Sequence, residues 1–452
     1  MLSLGCVRAL GADAPALTVQ DAWARVRAAN EALLAAQSVR AQKGAEKDAT
    51  RSLLLPSVDL VSTYTHLDAP IAIDLDPLRQ LLLQLMPTVP PAAVPALRLP
   101  VQDERFVRST LNLTWPVYAG GRIDAARRAA AAGVAEADAA FRQTEQMLFS
   151  ELVRRYYGTQ LAVFVAATRA EVLTAMEEHV RQATRLEQEG FITRAESLHA
   201  TVARDKALRD RQQADRQVEI IRIALAGLLA ADAPAAPSSP LFVLSTPLES
   251  VSSFVAAGDS SQPALAGLEA KRAQAAEGVA AQQGTLHPEV FLFGRQELVR
   301  EDLTVLDPKW AVGVGVRVNL FDRSDRLSQL KAARATARRV DYLLADARRG
   351  VHTLIEQQHR EVSSAREQFA SLDTALALAR ESLHVRQASF REGLATSLEV
   401  VDAQLALAGV ETERAAAAYA YAVALARLLE ATGQPDRFFI YLASPNLVTV
   451  SP

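Results

Sequence analysis

Among 452 residues there is one cysteine, Cys6, so no disulfide can form within the chain. Aromatic residues are 6% of the total, too few to fill a thick globular core with large side chains. A surplus of charge of one sign is missing as well. The formal net charge is −3 at pH 7, without the basic excess that binding nucleic acid requires. No apolar run approaches the ~18 residues of a membrane-crossing helix. Paired carboxylates, a Ser/His/Asp set and a glycine-rich phosphate loop are absent from any setting that would suggest catalysis, so no enzyme class and no cofactor is indicated. The histidines are scattered. His352 and His359, one heptad apart, read as solvated surface and not as metal ligands.

Proline is also missing from a long stretch, between Pro308 and Pro435. It opens with Trp310, Val312, Val314, Val316, Val318 and Leu320 alternating with Ala311, Gly313, Gly315, Arg317 and Asn319. That is the period of a strand with one greasy face and one small or polar face. From Val340 the apolar positions step by three and four: Leu344, Ala347, Val351, Leu354, then Val362, Ala365, Phe369, Leu372, Leu376, Ala379 and Leu383, interrupted around Gln358. This spacing predicts a helix winding around neighbours, and over 325–392 it would rise roughly 100 Å.

At the start, MLSLGCVRALGADAPALT reads as the tail of a secretory signal, residues 1–14, with Ala12-Asp13-Ala14 as the cleavage site; a frayed terminus is the alternative. The apolar run before Cys6 is short for an acylated cysteine. Leu17 to Leu55 reads as one Ala-rich amphipathic helix, with Val19, Ala22, Trp23, Val26, Ala29 and Leu33 on one side. Strands follow at about 57–66 and 107–118, the second with Val107, Leu111, Leu113 and Trp115 against Arg108, Thr110, Asn112 and Thr114. Between them is a proline-rich insertion, residues 67–106, with a short helix predicted to start at Asp76-Pro77 and Leu78, Leu81, Leu82 and Leu85 on its apolar face. Its reading is a capping loop, with a partner-binding or lipopolysaccharide-facing lid as the alternative.

The pattern then recurs. Long helices at about 122–189 and 193–231 and a Pro/Ser linker, 232–257, complete a first repeat of 15–231. A second repeat, 258–432, carries strands at 289–299 and 310–321 and helices at 325–392 and 396–431, before a tail of 433–452. Four strands cannot close a barrel, and edges left open in lipid are prohibitive, so three chains supplying twelve strands resolve the difficulty. Arg108, Asn112, Arg317 and Asn319 would then face a watery lumen. A soluble coiled-coil scaffold is the competing class, opposed by the duplicated strand pairs.

Several motifs carry a resemblance. Leu55-Pro56-Ser57, the Trp115-Pro116-Val117-Tyr118-Ala119-Gly120-Gly121-Arg122 junction, and the paired Gly-x-x-Thr turns at Gly190 and Gly393 make the chain similar to the TolC-like outer-membrane efflux proteins. The resemblance implies a mainly α fold with transmembrane β: two tandem helix-strand-strand-long helix-long helix repeats forming a trimeric twelve-stranded barrel continued by a coiled-coil helical tunnel. It implies a homotrimer in outer-membrane lipid with a long periplasmic extension. Partners would be a periplasmic adaptor (membrane fusion) protein and an inner-membrane RND or ABC transporter, serving drug efflux or type I secretion without chemistry of its own.

The helix turns carry the candidate site. Gly190 and Gly393 suit left-handed helix ends, Thr193 and Thr396 suit N-caps, and Glu196 and Glu399 would complete a capping box in each half. By resemblance these tips contact the adaptor, and Glu399 and Asp402 line the periplasmic entrance. Arg194 beside Glu196 is a candidate pairing partner there, or a solvated charge. Ala395 and Phe390 replace an arginine and a tyrosine of one relative's closing network. Trp115, Tyr118, Trp310 and Phe321 bracket the strands as an interfacial girdle, with packing at the barrel-to-tunnel junction an equal reading for Tyr118 and Phe321.

Overall fold

The computed structural model describes residues 16–96, 98–231, 236–299, 304, 307–320 and 325–450. The signal reading of 1–14 with Cys6, linker residues 232–235, and Phe321, expected to close the strand that ends at Arg317, lie outside the described residues. In chain order the elements are β1 (Ala16–Leu17), α1 (Val19–Ala29), α2 (Glu31–Ala49), β2 (Ser57–His66), β3 (Ile71–Asp74), α3 (Asp76–Leu85), β4 (Arg98–Gln102), β5 (Arg105–Ala119), α4 (Arg122–Gln188) and α5 (Arg194–Leu228). After these come β6 (Ala236–Pro237), β7 (Leu241–Leu244), α6 (Val251–Ser261), α7 (Pro263–Gly284), β8 (Glu289–Glu297), β9 (Trp310–Arg317), α8 (Arg326–Arg391), α9 (Ser397–Thr432), α10 (Arg437–Leu442) and β10 (Leu447–Val450). No helix among the described residues is long and apolar enough to cross a membrane.

Two compact units result, and each takes segments from both sequence halves. One holds residues 42–134 and 270–341; the other holds the chain up to Ala41, 135–269, and everything from Tyr342. The duplication in the sequence therefore does not coincide with the division into units.

In the first unit β2, β5, β8 and β9 form an antiparallel sheet in the order β2-β5-β8-β9. The register places Val58 opposite Leu113, Leu113 opposite Gly294 and Gly294 opposite Val312, one apolar row across all four strands. The row on the opposite face runs Asp59, Asn112, Arg295, Ala311. Pro116 is accommodated because β2 ends opposite Thr114, so no partner on that side awaits a donor, and the ladder to β8 shifts register just after it. Gly313 and Gly315 lie beneath the rings of Phe293 and Phe291; a Cβ at Gly313 would come within 2.7 Å of the Phe293 ring. The glycines expected only as small residues are thus seats for aromatic rings across the strand pair.

The proline-rich insertion is an ordered excursion. β3 and β4 pair as a hairpin around α3, and the Arg79 guanidinium donates to the Val94 carbonyl at 2.6 Å and the Pro91 carbonyl at 2.9 Å. The helix begins at Asp76, with Leu75 as its N-cap residue and the Asp74 carboxylate accepting from the Asp76 N–H. Its Leu78, Leu81, Leu82 and Leu85 face is exposed in the single chain.

The second unit holds the main core. The continuous helix expected over Leu17–Leu55 is broken: Asn30 ends α1, its Nδ2 donating to the Leu228 carbonyl and its Oδ1 accepting from the Ala32 N–H. Asparagine offers the backbone these local alternatives, which an apolar periodicity does not register. Trp23 and Phe438 each meet the Phe149 ring edge-on. The Tyr156 hydroxyl donates to the Leu17 carbonyl at 2.6 Å and accepts from the Ser238 and Ser239 N–H groups, fixing β1 beside β6.

The segments read as linker and tail are part of this core. Leu241-Phe242-Val243-Leu244 is buried on both faces as β7 and pairs antiparallel with β10, while Phe438 is fully buried. A four-residue apolar run between Pro/Ser stretches is too short to show a period. In the middle of α8 the buried positions Ile355, Gln358, Val362, Ala365 and Phe369 follow one another, while Leu354 is exposed. The interruption expected at Gln358 is therefore a buried polar residue within a continuous stripe.

Candidate functional site

The turn between α4 and α5 and the turn between α8 and α9 are built alike. Gly190 has φ +78° and Gly393 φ +71°. The Phe191 N–H reaches back to the Leu186 carbonyl and the Leu394 N–H to that of Ser389, each 2.9 Å, closing both helices through left-handed glycines. Thr193 and Thr396 are the N-caps of α5 and α9, accepting from the N–H groups of Glu196 at 3.4 Å and Glu399 at 3.3 Å. The two acidic residues then differ. Glu399 closes a full capping box, accepting from the Thr396 N–H at 2.8 Å, and pairs with Arg386 at 2.6 Å. That N–H, with Arg386 beside it, holds the Glu399 carboxyl below its usual range.

Glu196 makes no such box. Its carboxylate crosses to α9 and accepts the Ser397 N–H at 2.8 Å. Ser397 is fully buried at the first turn of α9, where helical N–H groups lack intrahelical partners, so a carboxylate from the neighbouring hairpin satisfies the need that matters more. The capping box expected in each half is therefore present in the second only. Arg194 is exposed and, among the described residues, pairs with neither Glu196 nor another carboxylate. Asp402 is likewise exposed, on the first turns of α9.

Beneath the turns Ala183 of α4, Ala200 of α5, Phe390 of α8 and Val400 of α9 form a small separate core. His179 of α4 is buried beside it: its Nε2 is 2.7 Å from the Ser397 hydroxyl and its ring lies 4.6 Å from that of Phe390. Burial pushes the His179 imidazole pKa down, with Glu196 opposing in part. Neither His179 nor Ser397 was singled out from sequence. The available signal was a stripe of Val172, Met176, His179 and Ala183 at steps of four, three and four, all buried, with one polar member.

The sheet's polar face gathers the other candidates. Arg108 pairs with Asp307 at 2.7 Å, which also accepts from Thr304. Asn112 lies in register with Asp59 and Arg295. Arg317 lies 3.7 Å from Glu289 with its guanidinium over the Phe291 ring, and Asn319 joins it around a cavity of about 140 Å³ with Arg122 and Arg326. Sequence reading overlooked Glu297, only 2% exposed, which accepts from Thr110 at 2.9 Å and from Arg295. Of the girdle residues, Trp115 donates to the Leu54 carbonyl and Trp310 is exposed. His352 and His359 do not converge: one meets Asp259 and the other the Glu249 carbonyl.

Among the described residues the sheet exposes one apolar face and its two edge strands have no partner, in a chain that also carries two hairpins of very long helices, a combination that suits an outer-membrane protein. The model of the family described as "Outer membrane efflux protein" matches residues 22–231 and 259–434, and the chain belongs to that family. It is an outer-membrane channel protein and not an enzyme. The fold is shared with VceC of Vibrio cholerae, at a TM-score of 0.73 and 14% identity over 92% of this chain and 96% of that one. It is shared also with the CmeC outer membrane channel of Campylobacter jejuni, at 0.73 and 14% over 92% and 86%. The open-state MtrE channel of Neisseria gonorrhoeae aligns at 0.70 and 17% over 92% and 89%. Protein CyaE of Bordetella pertussis is 25% identical over 267 residues, 57% of this chain, and the chain spans about half the length of that relative, 56%.

Proposed function

We propose that three copies of the chain form the outer-membrane exit duct of a tripartite efflux pump or type I secretion system, passively conducting small molecules or proteins outward. The observation that carries this reading is the antiparallel four-stranded sheet whose two edge strands, among the described residues, have no partner. Val312, Val314 and Val316 on β9 are 65–72% exposed, as are Val58, Leu60 and Tyr64 on β2 to a similar degree, a surface that suits lipid and not water. With an even number of alternating strands, β9 of one copy meets β2 of the next antiparallel, so three copies close a twelve-stranded barrel without a free edge. The polar rows with Arg108, Asn112 and Arg317 then face the lumen, and Asn319 sits at its base.

The helix tips are the inner end of the duct. Gly190, Thr193, Gly393 and Thr396 shape the surface offered to a periplasmic adaptor, which joins the duct to an inner-membrane RND or ABC transporter. Glu399 and Asp402, with Glu196 and Arg194 nearby, surround the entrance. A soluble coiled-coil scaffold has no use for the lipid-suited sheet. The test is native mass after detergent extraction of the cell envelope, followed by planar-bilayer recording. A detergent-dependent trimer that conducts ions is expected; a chain soluble without detergent as a monomer or dimer refutes the reading.

A further inference from the structure

Among the described residues His179 is the only buried histidine, and its hydrogen bond links α4 of one hairpin to the first turn of α9 in the other. The junction consists of few groups. The Ser397 hydroxyl is hydrogen-bonded to His179 and its N–H donates to Glu196, so α4, α5 and α9 meet at a single residue, and the Phe390 ring adds α8. We propose that His179 is a proton-sensitive latch: its neutral imidazole holds the two hairpins together at their tips, and uptake of a proton releases them. The consequence for transport, an entrance that loosens in acid, rests on the duct reading above; the latch itself does not.

The charges around the imidazole set the direction. On its own helix Glu178 is occupied by Arg181 and Gln182. On α5 Glu196 is the one carboxylate that favours the proton, and it is already engaged by the Ser397 N–H. On α8 Arg391 lines the same cavity, of about 120 Å³, as His179 and disfavours a second cation. On α9 the cavity is lined by Val400 and Gln404, which carry no charge, and the helix presents the positive end of its dipole. The Phe390 ring face is the remaining favourable contact for a cation. Burial prevails over these, and the joined state binds the proton less readily than the parted state, in which the ring meets water.

The sign follows. Above the ordinary histidine value of about 6.5 both states carry a neutral ring and the latch has its full strength. As pH falls below that value the parted state takes up the proton first. The ratio of parted to joined tips then rises by up to about tenfold per pH unit for each latch, until the depressed value of the joined state is reached.

The test is hydrogen–deuterium exchange of the full chain in detergent at pH 7.5 and 5.5, corrected for intrinsic exchange, reading residues 186–200 and 389–404. The wild-type tips are expected to lose several-fold of their protection at the lower pH. His179→Gln, neutral throughout, is expected to show equal protection at both, and His179→Ala low protection at both. Wild-type protection that is unchanged between the two pH values overturns the latch, as does a loss in His179→Gln equal to that of wild type. Conductance over the same range separates the two readings. Pores that conduct more in acid only when His179 is present support both, whereas a chain that never conducts refutes the duct and leaves exchange to judge the latch.

Discussion

Replacing Glu196 with Ala tests the least expected contact of the tips. The change removes the acceptor for the Ser397 N–H, at 2.8 Å, on a residue that is fully buried. An unsatisfied buried donor costs about 1–3 kcal/mol. At 1.4 kcal/mol per factor of ten, the parted tips become more populated by roughly 5- to 150-fold. Glu196→Gln keeps a carbonyl acceptor but loses the charge, and should recover most of this. Glu399→Ala is the informative comparison. Glu399 caps its own helix in an exposed box with Arg386, where water replaces what is lost, so its effect on the tips should be smaller. The assay is amide exchange across residues 397–400 in the full-length protein, with channel conductance as the functional readout. Loss of protection in Glu399→Ala equal to or greater than that in Glu196→Ala would refute the argument that the inter-hairpin contact outweighs the local cap.

Gly393→Val places a β-branched residue at φ +71°, at a cost of about 1–3 kcal/mol of backbone strain, and is expected to lower efflux in a drug-susceptibility assay while heat-stable assembly on gels persists. Asp402→Asn is expected to weaken block of the pore by multivalent cations in bilayer recordings with assembly intact; unchanged block would remove Asp402 from the entrance. Gly315→Val drives a side chain into the Phe291 ring and should lower the yield of folded protein, with Phe291→Ala restoring part of it in the double variant.

Much of the fold was legible because its periods are long and uninterrupted. The alternation beginning at Trp310 and that of Val107–Trp115 lie on strands, and the proline-free stretches lie on helices of 67 and 66 residues, α4 and α8. Short elements were not legible. β7 and β10 are four residues each, below the length at which a pattern emerges, and they pair with one another across the chain, β7 being buried throughout and β10 at Val450. Asn30 interrupts a helix whose apolar positions continue on both sides of it, so periodicity alone could not place the break.

The tip glycines and threonines were readable from local spacing, since a left-handed turn and an N-cap depend on neighbours three or four residues away. The partner of Glu196 was not. From sequence Glu196 and Glu399 stand in equivalent positions, three residues after a threonine, and each could close a box. Only the packing of α9 against α4 and α5, which buries Ser397 and leaves its N–H in need of an acceptor, separates their roles. The same packing turns His179, one polar member of an apolar stripe, into a contact between hairpins. Backbone periods and caps are local and are written in the sequence, whereas the choice of partner for a polar group depends on which distant segment excludes water from it, and that is settled by the tertiary fold.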